Sequence, residues 1–64
     1  MKQIVRTTVA SGVIGQYSHE WAVIELHDIR YDSESYELFI REEHIASFPS
    51  VVEALAALVE EFSE

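Results

Sequence analysis

Sixty-four residues without cysteine, carrying twelve acidic side chains against four Lys or Arg, give a formal net charge of −8. This excludes a disulfide scaffold, a thiolate metal site and a phosphate-tracking surface for nucleic acid, which needs Lys and Arg. A hydrophobic content of 48% excludes a disordered acidic tail, and no apolar run approaches the roughly 18 residues that cross a bilayer.

The chain reads as a single small domain over 1–64. Its first segment, QIVRTTVA, is rich in β-branched residues and predicts a strand over 3–10. Ser11-Gly12 and Gly15 then bracket Val13-Ile14 in a predicted loop or bulge. The run Trp21–Tyr31 predicts a second strand over 21–31. Ala22, Ile24 and Leu26 share one face of it, and Trp21, Val23, Ile29 and Tyr31 share the other. Asp32-Ser33-Glu34-Ser35 is polar and makes the predicted turn. A third strand follows over 36–41, with Tyr36, Leu38 and Ile40 opposite in facing to Glu37, Phe39 and Arg41. A register pairing Leu26 with Ile40 joins the aliphatic faces and sets Glu25 against Arg41.

Ser50-Val51-Val52-Glu53 is a capping box and predicts a helix over 51–62, with Pro49 placed where no helical N–H is required. Val51, Val52, Leu55, Leu58, Val59 and Phe62 form its apolar stripe. The predicted fold class is α+β: a three-stranded antiparallel β-meander with the C-terminal helix packed on one face. One such helix spans about 18 Å and covers one sheet face only. If Ala22, Ile24, Leu26, Leu38 and Ile40 take the helix, then Trp21, Val23, Ile29, Tyr31 and Phe39 remain outside as a self-association face.

Chemistry is sparse. The serines sit in turns and caps without a nucleophile-elbow motif. Gly12-x-x-Gly15 lacks the lysine of a phosphate loop. His19, His27 and His44 each adjoin an acid, but sequence neighbours in a strand point to opposite faces, so adjacency is no coordination geometry. Glu25 and His27 share a face and supply half a site at most. The expectation is a protein without enzymatic activity, metal or cofactor.

Two functions fit this reading. All twelve acids lie between Glu20 and Glu64, leaving +2 over residues 1–19 and −10 over residues 20–64. Such a field attracts basic protein surfaces and repels nucleic acid and anionic membrane. The first function is therefore an inhibitor or regulator docking on a basic surface of a nucleic-acid-handling protein. Its acidic contacts would be Asp28, Asp32, Glu34, Glu37, Glu43, Glu53, Glu60, Glu61 and Glu64. In size and charge the chain resembles small acidic proteins of mobile elements such as phages, DNA mimics and anti-CRISPR proteins among them. No motif assigns it to a named family. The second function is a homodimeric, antitoxin-like or accessory subunit working through its apolar sheet face. The cysteine-free composition and the absence of a signal-peptide core suit the cytoplasm.

Overall fold

A computed structural model describes residues 3–63. Among them, four strands, β1 (Ile4–Ile14), β2 (His19–Asp28), β3 (Ser33–Ile40) and β4 (Glu43–Phe48), precede one helix, α1 (Val51–Glu61). The strands form one antiparallel sheet in the order β1-β2-β3-β4. The α+β class and the C-terminal helix are as predicted, but the sheet has four strands rather than three.

β1 continues four residues past its predicted end, and two features allow this. Thr8 pairs with Ile24 while Ala10 pairs with Val23, so Val9 is an extra residue in a β-bulge that resets the strand's alternation. Gly12 pairs with Trp21, and a Cβ there would lie 3.3 Å from the indole Cζ2. Gly12 is thus a seat for the tryptophan ring rather than a turn residue. The real turn begins at Gly15, with φ +85, and ends at Ser18, whose N–H donates to the Gly15 carbonyl at 3.1 Å.

β2 stops at Asp28, short of the predicted Tyr31. The Asp28 carboxylate accepts the Arg30 N–H at 3.0 Å, and the Asp28 carbonyl accepts the Tyr31 N–H at 3.3 Å. This local side-chain bond offers the backbone an alternative to the ladder and turns the chain. The turn therefore occupies residues 29–32 instead of 32–35. Trp21 pairs with Ile40, Val23 with Leu38 and Glu25 with Tyr36. The expected pairings of Leu26 with Ile40 and of Glu25 with Arg41 do not form; Leu26 opposes Ser35. The displacement is an odd number of residues, so it exchanges the two faces of β2.

β4 has no hairpin signature in the sequence. Its turn is Arg41-Glu42, both at positive φ (55° and 69°), where Asn-Gly is the usual choice. Its alternation is also broken, because Leu38 pairs with Ala46 but Phe39 with His44, leaving Ile45 bulged.

The core lies between the sheet and α1, where Val23, Leu38, Ile40, Ala54 and Leu58 are buried. Trp21, Tyr36, Phe48, Leu55 and Phe62 close its margins. The helix begins as predicted: the Ser50 hydroxyl accepts the Glu53 N–H at 3.3 Å and donates to the Glu53 carboxylate at 3.2 Å. Its buried stripe is centred on Ala54 and Leu58, however, and Val52 and Val59 point to solvent. A small residue at position 54 lets the helix approach the sheet closely over Val23 and Leu38. α1 lies over β3, β4 and β2, and β1 stands outside its span.

Candidate interaction surface

The face of the sheet turned away from α1 is built by the alternation of four strands. Residues paired across the ladder share a face. Ala22, Ile24 and Leu26 of β2 therefore lie with Phe39 and Glu37 of β3, and with Arg6, Thr8 and Ser11 of β1. His44 of β4, opposite Phe39, completes the row. No helix of the described chain lies over this side, and Ala22, Ile24, Leu26 and Phe39 are half-buried there by their neighbours in the sheet. Its surface holds two shallow depressions: Ile4, Leu26 and His44 line one, Ala22, Ile24 and Val13 the other, and Arg6 and Phe39 border both.

Arg6 and Glu37 punctuate the middle of this surface along the strands, while Glu20 and Asp28 end its β2 row and Arg30 and Glu42 stand at the rims of the two depressions. Arg6 stands on β1 beside Leu26, and Glu37 on β3 beside Ile24. Glu37 is largely sheltered and lies 3.4 Å from His44 Nε2. Arg6 takes part in none of the ion pairs among the described residues, which join His27 to Asp32, Arg30 to Asp28 and His44 to Glu37.

The face that the sequence assigns to self-association is not one surface. Val23 is fully buried under α1, and Trp21 packs at the margin of the same core. Ile29 and Tyr31 sit exposed in the β2–β3 turn, where the Arg30 guanidinium lies 5.2 Å from the Tyr31 ring centroid. Of the five, Phe39 alone lies on the uncovered face. The reason is the register: the faces of β2 are exchanged, so Ala22, Ile24 and Leu26 take the place expected of Trp21 and Val23.

The acidic residues are likewise divided. Asp28, Asp32 and Glu34 gather at the β2–β3 hairpin end, Glu43 lies at the opposite end of β3, and Glu37 is on the outer face. Glu53, Glu60 and Glu61 are exposed on α1, across the sheet from Glu37. Glu64 lies outside the described residues. They form no single row.

Side-chain chemistry elsewhere is local. The Arg30 guanidinium donates to Asp28 at 3.2 Å, which holds the Asp28 carboxyl below the ordinary 3.8. The Tyr36 hydroxyl donates to Glu25 at 3.1 Å, and that bond holds the phenol above the ordinary 10.0. Both are structural pairings of near neighbours in the fold. Among the described residues, no three His, Asp or Glu side chains gather where one metal ion could bind. No helix of the described chain is long and apolar enough to cross a membrane.

The outer face is not legible in the sequence, because β2 is apolar on both sides. Arg6 and Glu37 emerge as a pair of flanking charges only when the ladder places them on either side of β2. No protein-family model matches the chain, and neither a curated protein nor a solved structure is detectably similar to it.

Proposed function

We propose that this chain is a protein-binding module without catalysis of its own, and that its contact surface is the outer face of the sheet. One observation carries the reading: Ala22, Ile24 and Leu26 of a central strand, with Phe39 beside them, have no covering element among the described residues. A sheet normally buries its apolar face against another layer. A contiguous apolar area left open on a small domain is a place for a second protein. The divided acids act as solvated charge around that contact, keeping an apolar-rich chain soluble.

The test is a photo-crosslinking amino acid at position 39, with one at the exposed Val52 of α1 as the comparison. Position 39 should yield a protein adduct in the native host and position 52 should not. Adducts at position 52 alone would move the contact to the helix and end this reading.

A further inference from the structure

Resting on the outer-face reading, we infer that the occupant of this face is a second copy of the same chain. The two sheets would meet face to face about a two-fold axis running along β2, and Arg6 of each copy would meet Glu37 of the other.

Charge favours this pairing. Arg6 and Glu37 lie on opposite sides of β2, on β1 and β3, and both belong to the outer face. A two-fold axis parallel to the strands carries β1 of one copy over β3 of its partner. Arg6 is level with Leu26 and Glu37 with Ile24. The two charges are therefore offset by two residues, about 6.8 Å along the strand, within reach of an arginine and a glutamate across packed sheets. The exchange happens twice by symmetry. It gives Arg6 the carboxylate it lacks within the described chain, and it gives the sheltered Glu37 a permanent cation where it now has an imidazole. A two-fold axis perpendicular to the strands would instead set β1 over β1 and separate the opposite charges.

Area and shape are compatible with it. The chain exposes 4748 Å². A folded monomer of its 7.3 kDa mass exposes about 4,200 Å². Its radius of gyration is 12.5 Å, where about 11 Å is usual for this length. Both departures describe a thin, elongated molecule, 41 × 19 × 15 Å in extent, with a high share of surface for its mass. A standard interface takes about 800 Å² from each partner, roughly one sixth of this surface. The net −8 on each copy does not forbid the contact. Glu53, Glu60 and Glu61 stand on the far side of the sheet, and exposed charges are screened beyond a Debye length of about 8 Å.

Sedimentation equilibrium on the full chain tests the pairing. The wild type should be dimeric in the micromolar range. Arg6→Glu should face Glu37 of the other copy with a like charge, and Glu37→Arg should face Arg6 likewise. Each should weaken self-association about tenfold or more, with circular dichroism unchanged. An equimolar mixture of the two variants should restore the dimer as a heterodimer, because each chain then supplies what the other requires. A mixture that stays monomeric overturns the Arg6–Glu37 exchange. A wild type that is monomeric throughout the range overturns self-pairing altogether. In that case an adduct between position 39 and a different protein would still uphold the outer face as the contact surface. No adduct at position 39 would end both readings.

Discussion

Val23 and Ile24 are consecutive residues of β2, yet Val23 is fully buried beneath α1 while Ile24 belongs to a surface that no described element covers. Leu38 and Phe39 repeat the contrast on β3. The two faces of this sheet are alike in apolar content and unlike in cover. A helix over one side gives five buried residues and a closed core. The other side keeps half-buried aliphatic and aromatic side chains with charges of both signs among them. Hydrophobicity alone therefore says that β2 is central. Cover decides which of its faces stabilises the monomer and which remains available for contact.

The largest expected effect separates the faces directly. Leu38→Ala empties a fully buried site and should cost about 2–5 kcal/mol. In a domain of this size each kcal/mol lowers the melting temperature by about 4–8 °C. Leu26→Ala, the same chemistry on the outer face, should cost less than about 1 kcal/mol in the monomer, because no packed cavity is left behind. Urea denaturation at low protein concentration, where self-association is minimal, measures both. Equal losses would mean that something in the chain covers the outer face after all.

The sequence carries some of this plainly and some not at all. Ser50 and Glu53 announce the helix start because capping is a short-range interaction between residues three apart. β-branched density marks β1, and runs of apolar residues mark β2 and β3. The facing of β2 is illegible because Trp21, Val23, Ala22, Ile24 and Leu26 satisfy either parity, so the answer depends on the turn. The turn is hidden because Ile29 and Tyr31 are apolar residues placed in it, held there by the hydrogen bonds of Asp28. The helix stripe reads too wide, since Val52 and Val59 fit the period but lie beyond the arc that Ala54 and Leu58 bury. The candidate contact depends on register twice over. Arg6 and Glu37 are thirty-one positions apart and come to flank one strand only when both ladders are known.

β4 leaves no mark in the sequence because the Arg41-Glu42 turn holds two residues with β-carbons at positive φ. That conformation costs such residues on the order of 1–2 kcal/mol each. Replacing Arg41 by Asn and Glu42 by Gly should therefore raise stability by about 1–2 kcal/mol in thermal denaturation. Gly15→Ala should do the reverse and cost about 1 kcal/mol or more, since Gly15 has φ +85. Gly15 lies at a strand end outside the outer-face depressions, so its change should not alter self-association, whereas Glu42 borders the depression of Ala22 and Ile24. A Gly15 variant that changed both stability and association would place the hairpin end inside the contact and blur the distinction between the faces.

The smallest effects distinguish the two sides by pH. Asp28 ends the outer-face row of β2, and the hydrogen bond from Arg30 keeps its carboxyl below the ordinary 3.8. A depressed carboxyl gives stability that is present above its unfolded value and is lost as pH falls through the folded one, here below 3.8. Tyr36 lies on the helix side, and its bond to Glu25 keeps the phenol above 10.0. A raised phenol gives stability that is fully present below its unfolded value and is lost as pH rises through the folded one, here above 10.0. Urea midpoints followed against pH should therefore show two independent limbs. Arg30→Gln should flatten the acid limb and leave the alkaline one. Glu25→Gln should flatten the alkaline limb and bring the Tyr36 titration down, read as the ultraviolet difference between each protein and its Tyr36→Phe counterpart. If Arg30→Gln also moved the alkaline limb, the β2–β3 hairpin end and the helix side would be one coupled network. The separation between a covered and an uncovered face would then fail at that end of the sheet.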